Sequence, residues 1–171
     1  MKRIKFLAFA AATFLTVSSV LYFNSCKTDP CKNVVCNNGG VCADGNCSCA
    51  SGYEDATCST AWVTKYVANW KGTDVCTSGT YNWNGAISKS STNPVVFYIT
   101  NMGGLGTSAQ FSCTLSSTST FTIDAQTQNG YTIMSGGGSI STDGTKITSN
   151  YIVKDAAGAR DTCTTSTIIK Q

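Results

Sequence analysis

The chain has 171 residues, 12 basic and 9 acidic side chains, ten cysteines and no histidine. Charged residues are only 12% of it, about half of the ~25% usual in globular proteins. The missing histidine removes the Ser–His and Cys–His pairs of nucleophilic catalysis.

Lys2, Arg3 and Lys5 open the chain, an apolar run extends from Phe6 to Phe23, and Asn24-Ser25-Cys26 follows. A basic, then apolar, then small-residue order is the form of a secretory signal, although the run also reaches the lower limit for a membrane-spanning helix. Removing residues 1–25 would leave 9 basic and 9 acidic groups. No basic excess then remains to act as a footprint for nucleic acid. Small Ser25 before Cys26 resembles the lipobox of bacterial lipoproteins, in the looser form with Phe23 and Asn24 common in the Bacteroidota. The resemblance implies cleavage after Ser25, a diacylated Cys26 holding the chain to a membrane through a tether of residues 26–30, and a place in the cell envelope, at the outer membrane of a Gram-negative bacterium.

Cys31, Cys36, Cys42, Cys47, Cys49 and Cys58 come next, as C-x4-C-x5-C-x4-C-x-C-x8-C. Six cysteines alone leave the pairing open, and a segment below ~40 residues needs such staples because its apolar interior is too small. Cys36-Asn-Asn-Gly-Gly-Val-Cys42, Cys47-Ser-Cys49 and Gly52-Tyr53 before Cys58 resemble an EGF-like domain over residues 31–58. The resemblance implies the bonds Cys31–Cys42, Cys36–Cys47 and Cys49–Cys58. Glu54-Asp55 replaces the family's glycine after the aromatic, so the last loop is expected to bend differently. Asp44-Gly45 is expected to form a tight hairpin turn. Zinc is disfavoured by the C-x-C spacing and by oxidation of exported thiols. Calcium is disfavoured because only Asp29 precedes Cys31 and the interval Ala43–Asn46 is short. No metal or cofactor is expected.

Residues 59–69 read as a linker helix, since Trp62, Val63, Tyr66, Val67 and Trp70 recur at helical spacing behind Ser59 or Thr60 as N-cap. From residue 70 to 171 period-two segments alternate with turn signals: Trp70–Thr77, Thr80–Lys89, Val95–Asn101, Ser108–Leu115, Thr120–Gln128, Tyr131–Ile140, Lys146–Lys154 and Asp161–Lys170. Asn129-Gly130 and Asp143-Gly144 mark hairpins. The fold class is therefore mainly β: a small disulfide-rich module followed by an antiparallel eight-stranded meander, closed as a barrel or open as a sandwich. Closure would make the first and last strands neighbours, which pairs Cys76 with Cys163. Cys113, on the apolar side of its strand, reads as a buried free thiol. The whole arrangement is similar to Bacteroidota lipoproteins that join an EGF-like segment to a lipocalin-like β domain.

Enzymatic chemistry finds little support. Glu54 is the sole glutamate, and Asp74, Asp124, Asp143, Asp155 and Asp161 are scattered, with Asp124 expected in solvent. The clusters Gly103–Gly106 and Gly136–Gly138 lack the Lys-Ser/Thr of a phosphate loop; the first reads as a turn, the second as a kink or bulge. Two non-catalytic functions follow. One is binding, adhesion or surface display toward a protein or carbohydrate partner, with Tyr81 and Trp83 a platform if they face water. The other is carriage of a small hydrophobic ligand in a pocket lined by Trp70, Phe97, Phe111, Phe121, Tyr131 and Tyr151, positions that a filled core would use equally well.

Overall fold

A computed structural model describes residues 29–171; the signal-like segment and Cys26 lie outside the described residues. The N-terminal module is built on a hairpin of β1 (Val41–Ala43) and β2 (Asn46–Ser48). Asp44 and Gly45 sit between them with φ of 48° and 84°, the left-handed pair that a two-residue hairpin turn demands. Disulfides join Cys31 to Cys42, Cys36 to Cys47 and Cys49 to Cys58. Gly52 and Cys58 are the two buried residues of the module, so covalent bonds do the work that an apolar interior cannot.

A second short pair, β3 (Tyr53–Glu54) and β4 (Thr60–Ala61), carries the chain out of the module. The loop between them is organised by Asp55, at φ 80°. Its Oδ1 accepts from the Thr57 amide (2.7 Å), the Thr57 hydroxyl (3.0 Å) and the Ser59 amide (3.2 Å). Its Oδ2 accepts from the hydroxyls of Ser59 (2.7 Å) and Thr60 (2.6 Å). The Thr60 and Ser59 hydroxyls, followed by the Thr57 amide, hold this carboxyl far below the usual carboxylate range.

The helix predicted over residues 59–69 is not formed. A single 3-10 turn spans Trp62–Lys65, and residue 68 already belongs to a strand. Val63, Thr64 and Val67 are β-branched, which costs side-chain freedom in a helix. Burying Val63 and Tyr66, three residues apart, needs only the tighter turn, in which such positions eclipse.

Eight antiparallel strands then close on themselves. They are β5 (Ala68–Cys76), β6 (Gly79–Lys89), β7 (Val96–Thr100), β8 (Gln110–Leu115), β9 (Thr120–Ile123), β11 (Tyr131–Ile140), β12 (Lys146–Lys154) and β13 (Arg160–Lys170). Each pairs with the next, β9 pairs with β11, and β13 returns to β5. The eighth of these pairings makes the sheet a barrel and excludes the open sandwich. The predicted strand Thr120–Gln128 is broken, its tail forming β10 (Gln126–Gln128) beside the start of β11. The cause is Asp124, which is half-buried rather than free in solvent. It turns back on β8, accepting from the hydroxyls of Ser112 (2.7 Å) and Thr114 (3.0 Å). Asn129 and Gly130, at φ 50° and 80°, make the hairpin turn into β11.

The interior is filled. Trp70, Trp83, Phe97, Phe111, Phe121 and Ile133 are all buried. Tyr66 from the 3-10 segment stacks on Phe97 (centroids 5.0 Å apart) and meets Phe121 edge-on (6.0 Å), while the Trp70 indole N–H donates to the Tyr66 carbonyl (2.8 Å). Bulky rings fit because facing positions carry glycine. A Cβ on Gly72 would lie 2.1 Å from the Trp83 ring, and one on Gly138 would lie 2.8 Å from Phe121. The outer face carries Lys71, Thr73, Asn82, Asn84, Thr148 and Asn150. Apolar inside and polar outside is the reverse of a barrel that spans a membrane. Among the described residues no helix is long and apolar enough to cross one.

The two ends differ. At the end where β5 begins, the 3-10 segment plugs the barrel, and the N-terminal module is seated there. Gly52 packs against Pro94 and Val95 of the β6–β7 loop, its carbonyl accepts from the Trp62 amide (2.8 Å), and Glu54 pairs with Lys65 (3.5 Å). The opposite end, where β5 stops, is the mouth.

Candidate functional site

A cavity of about 310 Å³ opens at the mouth. Alternation along β6 places Tyr81 on the same side as Trp83 and Ile87; the two lower residues enter the core, and Tyr81, the outermost, is 43% exposed at the rim. Tyr131 follows the Asn129-Gly130 turn, Tyr151 comes from the inner face of β12, and Leu105 comes from the loop after β7. Arg160 and Asp161 begin β13, and Asp155 follows the end of the facing strand β12.

Beneath the cavity lies Asp74, fully buried. Its Oδ2 accepts from the Trp83 indole N–H (2.9 Å) and the Tyr151 hydroxyl (2.6 Å), and its Oδ1 accepts from the Ser166 hydroxyl. A buried carboxylate survives only with such partners. Burial first, and then the neighbouring Asp74, push the Tyr151 hydroxyl far above its ordinary value, so it stays a donor. Gly103 covers this group: a Cβ there would stand 2.5 Å from the Tyr151 oxygen. At φ 66° its backbone also needs glycine.

Polar groups around the cavity differ in how far they are satisfied. Asp161 accepts from the Thr77 hydroxyl (2.6 Å), the Ser78 amide (3.2 Å) and the Ser78 hydroxyl. Desolvation alone would raise its carboxyl, but the Ser78 and Thr77 hydrogen bonds outweigh it and hold the group below the ordinary value. Tyr81 shares a hydrogen bond with Ser78 (2.8 Å). Arg160 gives its Nε–H to the Met134 sulfur (3.2 Å), and among the described residues the one ion pair is Lys65–Glu54. Lys154 lies directly opposite Arg160 across β12 and β13. Two like charges so placed repel, and no carboxylate within bonding reach offsets them.

No family model matches this chain. No curated protein matches it. Among solved structures, one from Bacteroides fragilis NCTC 9343, described as a "putative outer membrane protein", is similar at 15% identity with a TM-score of 0.39. The match covers 64% of this chain and 52% of the other, so it spans about half of that protein's length.

Of the cysteines singled out from sequence, Cys76 and Cys163 face each other across β5 and β13 and are joined, in the cavity wall. Their sulfurs and an Asp161 oxygen lie within 4.8 Å of one another. With the sulfurs bonded together no thiolate is available to a metal. The other six bridge the module at the far end. Cys113 is free and wholly buried; burial, with the Asp124 charge adding to it, pushes its thiol up and makes it inert. Of the rings considered as a ligand lining, Trp70, Phe97, Phe111 and Phe121 are core, and Tyr131 and Tyr151 reach the cavity. The Tyr81–Trp83 pair is split between rim and core. Leu105, Arg160 and Lys154 were not singled out by sequence, because only the closed barrel brings those loops together.

Proposed function

We propose that the protein is a lipid-anchored, non-catalytic binding module of the cell envelope, which displays the mouth of its barrel to a partner. The observation that carries this reading is the opposition of the two ends. The N-terminal module sits on the plugged end, and the cavity opens at the other. In this reading residues 1–25 are a signal, diacylated Cys26 holds the chain at the outer membrane, and the EGF-like segment 31–58 joins that tether to the plugged end of the barrel. The mouth then points away from the bilayer by the axial span of a nine-residue strand such as β5, roughly 20–25 Å once the tilt of barrel strands is included.

The filled interior favours display over carriage of a hydrophobic ligand inside the barrel. The cavity is at the small end of ligand sites and suits one ring-sized group. Tyr81, Tyr131 and Leu105 offer apolar faces, and Arg160 offers a guanidinium that has no carboxylate in ion-pair reach among the described residues, although Asp155 and Asp161 also line the cavity. An acidic sugar residue combines both needs, with its C–H face for the tyrosines and its carboxylate for the guanidinium, which pairs with such groups in bidentate fashion. Titration with uronic acids and with their neutral counterparts, followed by tyrosine NMR shifts, tests this. The uronate is expected to shift Tyr81 and Tyr131, with binding weakened by Arg160→Gln. Equal response to the neutral sugar, or none to either, counts against it. Intact mass of the membrane form tests the anchor: a chain beginning at Cys26 with a diacylglyceryl increment is expected.

A further inference from the structure

Charge is unevenly distributed along the barrel axis. Five lysines belong to the plugged end: Lys65 in the 3-10 segment, Lys71 and Lys89 on β5 and β6, Lys146 at the start of β12 and Lys170 at the end of β13. Lys65 is paired with Glu54. Asp143, in the β11–β12 loop, keeps its charge with its oxygens on Ser141 and Thr145, and with Glu54 and Asp55 it sets three carboxylates against these five lysines. Lys71, Lys89, Lys146 and Lys170 have no carboxylate within 4.0 Å among the described residues. At the mouth, by contrast, Lys154 and Arg160 are equalled in number by Asp155 and Asp161.

The register turns these lysines into a surface. Lys146 is opposite Ile169, and Ile169 is opposite Lys71, so the three form one outward row across β12, β13 and β5. Cross-strand neighbours stand about 5 Å apart, which sets the two ammonium groups on either side of an isoleucine that is 46% exposed. Val67, just before β5 at the same end, is 42% exposed. Lysines framing exposed aliphatic side chains match the boundary between headgroups and acyl chains: the alkyl stems and the isoleucine lie in the apolar margin while the ammonium groups reach phosphates.

We infer that the plugged end docks on an anionic phospholipid leaflet through Lys71, Lys146 and Ile169. Charge complementarity selects this occupant. So does position, since the module with which the described residues begin, at Asp29, is seated at that end. Two attachments at one end, a tether and a basic face, orient the barrel, whereas a tether alone lets it tumble. The inference does not depend on lipidation of Cys26, because the lysines act on the leaflet directly.

The test is flotation of the full chain with phosphatidylcholine vesicles, with and without phosphatidylglycerol. Wild type is expected to favour the anionic vesicles, and added salt is expected to erase the preference. The pair Lys71→Gln and Lys146→Gln is expected to lower affinity for them about thirty-fold, at roughly 1 kcal/mol per lysine. The pair Lys154→Gln and Arg160→Gln, which removes the same charge at the opposite end, is expected to leave vesicle binding unchanged. The N-terminal apolar and basic segment is common to every variant, so the comparison isolates the barrel. Unchanged binding by the plugged-end pair, or an equal loss by the mouth pair, overturns the inference. In a Cys26→Ser background the lysine effect persists, which separates it from failure of the lipid anchor.

Discussion

Replacing Asp74 tests whether the barrel's one fully buried acid is held by donor matching. Three donors converge on it: the Trp83 indole, the Tyr151 hydroxyl and the Ser166 hydroxyl. In Asp74→Asn the amide oxygen can take the Oδ2 position and keep the indole and the phenol, while the amide N–H₂ meets a Ser166 hydroxyl free to rotate and accept. The cost is then the difference between charge-assisted and neutral hydrogen bonds, about 1–2 kcal/mol. Asp74→Ala allows no such rearrangement. It leaves three buried donors unmatched at about 1–3 kcal/mol each, partly offset because an ion no longer has to be buried. A net loss of about 3 kcal/mol follows, some 6–12 °C in Tm for a chain of this size. Tyr151→Phe then reads the coupling directly. It is expected to cost about 1–2 kcal/mol in the wild type, and to be neutral or stabilising in the Asp74→Ala background, where the hydroxyl has lost its acceptor. Urea unfolding followed by tryptophan fluorescence, with Trp83 as the local reporter, measures all five proteins. If Asn costs as much as Ala, or if Tyr151→Phe costs the same in both backgrounds, donor matching is not what keeps Asp74 in place.

The other predictions concern different parts of the chain. Cys76 and Cys163 are 87 residues apart in sequence, so replacing both with serine is expected to destabilise the barrel by about 4–5 kcal/mol on the chain-entropy account. Losing Cys31–Cys42, which spans 11, is expected to cost about 3; denaturant midpoints of the two variants rank them. The Tyr66 hydroxyl is buried without a protein partner, so Tyr66→Phe is expected to be neutral or stabilising by up to about 1 kcal/mol, the opposite sign to Tyr151→Phe. Asp55 has a lowered folded-state pKa, so its contribution is present above the unfolded value near 4 and is lost as pH falls below it. The Tm gap between wild type and Asp55→Asn is expected at pH 7 and should shrink progressively below about pH 4.

Much of the barrel was legible because its signals are local. Tyr131–Ile140 and Lys146–Lys154 alternate cleanly between turn pairs, and their observed bounds coincide with the expected ones. Asn129-Gly130 can be read as a hairpin because its backbone conformation excludes most other residues. The linker was misread because Trp62–Trp70 satisfies a helical period and a strand period together; Trp70 is inward by alternation with Gly72 and Asp74, and pairing with β6 decided the outcome. The break at Asp124 escaped notice because its partners, Ser112 and Thr114, lie on another strand. Asp74 carried a usable signal, since it occupies an inward position two residues beyond Gly72. The mouth carried none, as Leu105, Tyr131 and Arg160 meet only through closure of the sheet.

The absence of a side chain at Gly72 has a consequence for redesign. The indole of Trp83 occupies the hollow left there and is anchored at its nitrogen by Asp74. Shortening residue 83 would vacate a flat slot that already ends in a hydrogen-bond acceptor, directly below the opening. A free heteroaromatic molecule bearing one N–H could then enter from solution and restore the lost packing. A barrel that is solid as it stands is thus one substitution from becoming a receptor, with the selectivity of the new site already set by a carboxylate that evolved as a prop.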